Sequence, residues 1–284
     1  MSRSDEPHNR SYGWLVSYTH ALGPRLAASI SWQNEGHVPS HHRDGFSPQL
    51  WARMDVAPQL RLALGAGPYR YFDTVTTDTG AGFADRHGWG MLYSAAATWR
   101  PSSTPWLYQL RLDRVILSNG IDSTRLTAGL GYRLERDSAA VALARRIELA
   151  VFLGRSIVNS FHSEHASVQS VELRHALGPL FRLSAAWIDE GDAGLVQRSG
   201  LGAQAWFEPD FSEGKLSLGF GLGPYFARDE ARIEGHKSFV AGLFTMSASY
   251  ALGGRWLARF SWSRVMTSYD RDADILLLGV GYRF

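Results

Sequence analysis

The sequence predicts an all-β, antiparallel transmembrane β-barrel built from two tandem repeats of about eight strands each. Three observations carry this. Nearly every segment alternates apolar residues with small or charged ones, the period of a strand with two different faces. The second half of the chain repeats the first in register. No stretch approaches the ~18 apolar residues of a membrane helix. Yet the chain carries 10 Trp, 11 Tyr and 14 Phe, an aromatic load suited to a membrane-spanning sheet.

The repeat can be followed residue by residue. His20-Ala-Leu-Gly-Pro24 recurs as His175-Ala-Leu-Gly-Pro179. In the same register Trp32, Glu35 and Gly36 match Trp187, Glu190 and Gly191. Arg43, Gly45, Gln49 and Trp51 match Arg198, Gly200, Gln204 and Trp206. After small slippages Gly65-Ala-Gly-Pro-Tyr69 matches Gly221-Leu-Gly-Pro-Tyr225, and Gly129-Leu-Gly-Tyr-Arg133 matches Gly279-Val-Gly-Tyr-Arg283. A register this long marks a tandem duplication.

The alternation then places the elements in order. Residues 1–10 read as a disordered or extracellular stub. The first repeat, 11–134, shows seven strands, at about 11–19, 25–33, 47–55, 59–72, 88–99, 106–117 and 124–134. Residues 135–146 read as a periplasmic connection. The second repeat, 147–284, shows eight, at about 147–157, 168–175, 180–188, 199–208, 215–227, 237–250, 255–266 and 273–284. The turns at 21–24, 55–59 and 251–254 are short, the periplasmic kind; the loops 34–44, 74–87 and 228–237 are longer and read as extracellular. The first repeat is one strand short of the second, and its start has no apolar signal peptide. A strand and a leader upstream are therefore expected.

The last strand is the most specific. Counting back from Phe284 in twos gives Tyr282, Val280, Leu278 and Leu276, while Arg283, Gly281, Gly279 and Leu277 face the other way. This run resembles the C-terminal assembly signal of Gram-negative outer-membrane proteins. The resemblance implies that Val280, Tyr282 and Phe284 are read by the barrel-insertion machinery and that the chain resides in the outer membrane. The absence of Cys agrees with passage through an oxidising periplasm.

Two copies of eight strands can close as two narrow barrels or as one of about sixteen. Eight strands leave an interior filled by side chains, whereas sixteen leave an aqueous channel. Each copy ends in Gly-Leu/Val-Gly-Tyr-Arg and alone has the length of an eight-stranded barrel, which favours two small barrels. The connection is no longer than a generous periplasmic turn and is not a Gly/Ser/Pro linker, and two barrels would need two independent closures in one insertion event. One large barrel is therefore favoured.

Alternation also sorts the charged residues. Arg61, Arg111, Asp113, Arg125, Arg133, Arg182, Arg255, Arg259 and Arg283 fall on the lumen side, with Glu148 as the clear opposing charge. An Arg-rich wall suits anionic solutes. Arg114 and Arg264 fall on the lipid side near the outer end, where lipopolysaccharide phosphates are natural partners. Glu35, Arg43, Glu190 and Arg198 repeat at the outer rim, with Asn34 and Asp189, as candidates for organising cations or phosphates. His37, His41 and His42 share one loop without counterparts in the second repeat and read as solvated. His20 and His175 sit beside Gly-Pro turns, and turn geometry explains them.

The run Arg114-Val-Ile-Leu-Ser-Asn119 resembles the motif of lipid A deacylases, eight-stranded outer-membrane enzymes with a His two residues before the nucleophilic Ser. Here that position is Ile116, so Ser118 has no base to activate it. The predicted function is thus a passive pore or export channel for polar, mainly anionic, solutes or polysaccharide, with no metal and no cofactor called for. The alternatives are a lipopolysaccharide-binding or lipid A-modifying protein and a pair of narrow barrels without a pore. The polysaccharide reading adds a periplasmic export partner to the expected partners, which are outer-membrane lipids, lipopolysaccharide and the insertion machinery. Net charge near +2 without a basic block gives no reason to expect nucleic acid.

Overall fold

Strands dominate the computed structural model, which describes residues 2–4, 10–38, 41–76, 82–134, 147–160, 162–231 and 238–284. In chain order they are β1 (Ser2–Ser4), β2 (Arg10–Ser11), β3 (Trp14–Ala21), β4 (Leu26–Val38), β5 (His41–Ala57) and β6 (Leu60–Thr76). Next come β7 (Phe83–Trp99), β8 (Trp106–Leu117), β9 (Ser123–Tyr132), β10 (Ile147–Val158), β11 (His165–Ala176) and β12 (Phe181–Asp192). The last are β13 (Gln197–Phe207), β14 (Asp210–Phe211), β15 (Leu216–Asp229), β16 (Ser238–Gly253), β17 (Trp256–Met266) and β18 (Ala273–Arg283). The chain divides into two units, Met1–Arg133 and Leu134–Phe284.

The second unit is a closed ring. Its strands pair antiparallel in the order β13-β12-β11-β10-β18-β17-β16-β15, and β13 pairs with β15. The seam between first and last strands runs from Glu148 opposite Arg283 to Val158 opposite Ala273, and the Phe284 amide adds a bond to the Ile147 carbonyl (2.9 Å). Every strand of this ring has partners on both edges, so no backbone donor row is left to enlarge it. The ring therefore closes at eight strands, not at the roughly sixteen favoured from the sequence. The need for two closures in one chain was a poor guide, because the second unit closes through its own strand edges.

The first unit is a meander of seven antiparallel strands, β3 to β9, in sequence order. β1 pairs with the outer end of β9 and with β2, so Ser2–Ser4 is strand where a free stub was expected. The connection at 135–146 lies outside the described residues.

The barrel is inside-out relative to a soluble protein. Along β10, Leu149, Val151 and Leu153 are exposed, while Glu148, Ala150 and Phe152 are buried. Along β18, Leu278 and Val280 face out and Ile275 and Leu277 face in. Leu62, Leu64, Leu110 and Leu126 form the matching outer surface of the first unit. Apolar side chains outside and charges inside is the pattern that lipid selects. Paired aromatics lie at corresponding strand ends within each unit. Trp106 meets Tyr132 edge-on at 5.0 Å, Trp256 meets Tyr282 at 5.1 Å, and Tyr282 meets Phe284 at 5.2 Å.

The strands extend farther at the opposite rim than the sequence suggests. The segments expected as loops 34–44 and 74–87 are largely paired strand, out to Val38 opposite His41 and Thr76 opposite Phe83. Hydrogen bonding continues there into water, where no apolar face is needed and the alternation fades. Most of 228–237 lies outside the described residues.

Candidate functional site: the charged lumen

The lumen of the second unit is built in layers. Nearest the Phe284 end, Arg259 on β17 reaches across to two strands. Its Nη1 donates to Glu172 Oε2 (2.9 Å), its Nη2 to Glu148, and its Nε to Ser249 Oγ (2.8 Å). Arg283 Nε donates to the other oxygen of Glu148 (3.1 Å). Arg174 pairs with Glu172 (3.0 Å) and with Glu208, its guanidinium lying 3.6 Å from the centre of the Trp206 ring. Arg182 pairs with Glu208 (3.0 Å) and Asp210 (3.0 Å). Four arginines thus face four carboxylates, so the layer carries no net charge.

Above it lies an apolar layer formed by Phe152, Ile188, Leu243, Leu277 and Tyr225. A cavity between the two is lined by Ser170, Glu172, Gln204, Thr245, Ser261 and Ser263. At the far end Arg198 and Glu190, both buried, form a two-pronged pair (2.5 and 2.6 Å). Arg198 also donates to the Arg271 carbonyl (3.1 Å), and the Tyr269 hydroxyl donates to Asp229 (2.9 Å).

The central charges of the first unit are carried by β8 and β9. Arg111 Nε donates to Asp113 Oδ1 (2.7 Å) and Arg125 Nη2 to Asp113 Oδ2 (2.7 Å), while Arg111 Nη2 reaches Gln49 (2.8 Å). At the far end Tyr69 donates to Glu35 (2.8 Å), and Arg43 lies 3.6 Å from both Glu35 and Asp73.

Several contacts recur at equivalent positions. Trp51 Nε1 donates to Ser29 (2.8 Å), and Trp206 Nε1 to Ser184 (2.9 Å). A Cβ on Gly65 or Gly221 would stand 2.6 Å from the same tryptophans, so each indole lies on a bare backbone. Arg43 donates to the Ile121 carbonyl (2.7 Å) as Arg198 does to that of Arg271. Asp122 accepts from the Leu117 amide (3.0 Å) and Asp272 from the Thr267 amide (2.7 Å).

These placements revise the residue assignments. Of the lumen candidates, Arg111, Asp113, Arg125, Arg182, Arg259 and Arg283 sit inside, each with a partner. Arg61 lies beside the turn between β5 and β6, paired with half-exposed Asp55 (2.7 Å). Arg133 and Arg255 are exposed, beyond the last lumen layer. The rim candidates Glu35, Arg43, Glu190 and Arg198 face inward and are buried in pairs, because the lumen is faced by odd-numbered residues of β4 and β5 and by even-numbered residues of β12 and β13. Arg264 is buried and bound to Asp274 (3.0 Å); Arg114 is partly exposed and bound to Asp122 (3.1 Å). Ser118 donates to the Trp89 carbonyl (2.7 Å).

His41 lies 3.2 Å from Asp73 and His42 lies 2.9 Å from Asn34; the His37 side chain is outside the described residues. Among the described residues no three or more His, Asp or Glu gather in a way that would hold a metal ion. His20 and His175 sit on the outer face at the turns, where the Leu22 and Leu177 amides close equivalent bonds to Leu26 and Phe181. The acids Glu172, Glu208 and Asp210 escaped the sequence reading. For Glu172 the signal was present, since it alternates with Ser170 and Arg174 on one strand face.

A closed antiparallel barrel with an apolar exterior, aromatic girdles and an ionic interior defines a transmembrane β-barrel of the outer-membrane type. No known protein family matches the chain, and no curated protein is similar to it in sequence. Among solved structures it is similar to Neisserial surface protein A, at 13% identity over 49% of this chain and 97% of the other, with a TM-score of 0.39. It is similar to the Yersinia pestis outer-membrane protein Ail at 14% identity, over 48% of this chain and 99% of the other, with a TM-score of 0.32. The KdgM porin aligns over 100% of this chain and 95% of its own at 7% identity and a TM-score of 0.23. Likeness at this level carries no argument about activity, and the class rests on the barrel's own geometry.

Proposed function

We propose that the chain is a narrow outer-membrane channel for small polar ions, held shut by its lumen network. The observation that carries this is Arg259, a buried guanidinium that ties β17 to Glu148 on β10 and Glu172 on β11. A lumen lined by ionic and hydroxyl groups is a path for water and ions wherever side chains swing aside, and Arg259 is the latch. The neutral balance of the layer argues against strong anion preference. A ring of eight strands filled by side chains leaves no room for a polysaccharide.

The apolar layer of Phe152, Ile188, Leu243 and Leu277 favours a second reading, a barrel that never conducts. Planar-bilayer recording separates the two. The wild-type protein is expected to show rare, small conductance steps. Arg259→Met combined with Glu148→Gln should raise the open fraction about tenfold for each ~1.4 kcal/mol of closing energy removed. A silent bilayer from folded double variant would establish the second reading.

A further inference from the structure

The cavity in the second unit lies where the first repeat keeps an ion pair. Arg111 and Asp113 on β8 correspond to Ser261 and Ser263 on β17. The strand pairing agrees. Arg111 stands opposite Ala96 and Asp113 opposite Ser94, as Ser261 stands opposite Ser247 and Ser263 opposite Thr245.

The hydrogen bonds around the two places match as well. In the first unit Gln49 Nε2 donates to Ser94 Oγ (2.9 Å), which donates to Asp113. In the second, Gln204 Nε2 donates to Thr245 Oγ1 (3.0 Å), which shares a hydrogen bond with Ser263 Oγ (2.9 Å). Each glutamine amide is also held by a backbone carbonyl, that of Leu92 for Gln49 (3.5 Å) and that of Leu243 for Gln204 (3.2 Å). The two amides are therefore oriented alike. Gln49 Oε1 accepts from Arg111 Nη2 (2.8 Å), whereas Gln204 Oε1 receives only a long contact from the Thr245 hydroxyl (3.3 Å).

Arg174 takes up part of the room that a guanidinium at position 261 would use, lying 3.6 Å from the centre of the Trp206 ring; Arg111 lies 5.0 Å from that of Trp51. What remains is the cavity beside Ser261, Gln204 and Arg174, with about 20 Å³ open to the centre of a water molecule. One water needs roughly 10–15 Å³ by this measure, and about three hydrogen-bond partners. Three are at hand. Ser261 brings a hydroxyl to the wall, and Gln204 its amide oxygen. Arg174 Nε is a buried donor that makes no hydrogen bond, although it lies 3.0 Å from Glu172.

We propose that this cavity is a built site for one ordered water, which accepts from Arg174 Nε and the Ser261 hydroxyl and donates to Gln204 Oε1. The water replaces the guanidinium of the first repeat as the donor to the glutamine. On the other wall, the side chains of Phe152, Ile188, Leu243 and Leu277 offer it no partner, so hydration of this lumen stops here. The site does not depend on whether the barrel conducts.

The test is a crystal structure of the full chain at a resolution where ordered waters are visible. One isolated density peak is expected within hydrogen-bonding distance of Arg174 Nε, Ser261 Oγ and Gln204 Oε1. The absence of that peak, with ordered waters visible elsewhere in the lumen, overturns the proposal. Ser261→Val removes one partner and puts two methyl groups into the space, so its structure should lose the peak. A peak that stays in place in the valine variant overturns the role given to Ser261. The wild-type map decides the matter even if the valine variant fails to fold.

Discussion

Replacing Arg259 with Met should destabilise the second unit by about 3–5 kcal/mol, the range for removing one partner from a buried ion cluster. The upper part of that range is expected because Arg259 serves two carboxylates. Its loss leaves Glu148 with Arg283 alone and Glu172 with Arg174 alone, all within a lumen closed to bulk water. The Ser249 hydroxyl loses its donor as well. Met fills a similar volume, so the cavity penalty is small, and the loss reports electrostatics. The assay is urea unfolding of protein refolded in lipid vesicles, followed by tryptophan fluorescence and by the gel mobility shift of folded barrels. Adding Glu172→Gln should recover much of the loss, since one carboxylate is then removed for the one guanidinium lost, Arg174 keeps Glu208 and Arg283 keeps Glu148. A single variant within about 0.5 kcal/mol of wild type, or a double variant less stable than the single one, would refute the view that these charges hold each other in place.

Three further outcomes follow from other parts of the structure. Gly221→Ala should cost about 1–3 kcal/mol by overpacking against Trp206, and pairing it with Trp206→Leu should make the two changes non-additive in urea unfolding. Glu208 sits in the turn between β13 and β14. Burial pushes its carboxyl up, but Arg174, Arg182 and Arg259 outweigh this and hold it at about 2. Its contribution to stability should be complete above pH 4.5 and be lost as pH falls towards 2, so acid unfolding of the wild type should be steeper in that window than that of Glu208→Gln. Phe284→Ala removes the ring that packs on Tyr282 at 5.2 Å, and should lower the amount of folded barrel in cell outer membranes while leaving refolding in detergent close to wild type.

Much of the fold was legible because lipid imposes alternation. The eight strands of the second repeat were read within about four residues of their observed ends, since each shows its apolar residues every second position. Closure was not legible. Strand count per repeat is written in the sequence, but the edge that β13 offers to β15 is a matter of backbone geometry. The lumen was half legible. Alternation put Arg259 and Arg283 inside, but it could not show that Glu208 and Asp210, at a turn, fold back under Arg182. Arg264 was misread for a related reason. It has the parity of the lipid face, yet Asp274 on the neighbouring strand covers it. Parity gives a side, while pairing decides exposure.

The two repeats act as controls for each other. What they share is framework: the tryptophan on a bare glycine, the far-end arginine held by a glutamate and a backbone carbonyl, and the aspartate closing the β8–β9 and β17–β18 hairpins. What differs is lumen charge. Arg174, Arg182 and Arg259 correspond to Thr19, Ala27 and Gln109, and Glu172 to Ser17. Conversely Arg111, Asp113 and Arg125 correspond to Ser261, Ser263 and Ile275. The first repeat thus keeps its ions at mid-height and the second keeps them near the Phe284 end, on one scaffold. Exchanging the charge sets between repeats should therefore move the ionic layer without unfolding either sheet. Any change in conductance that followed would come from the height of the charges alone, since strand number and framework would be unaltered.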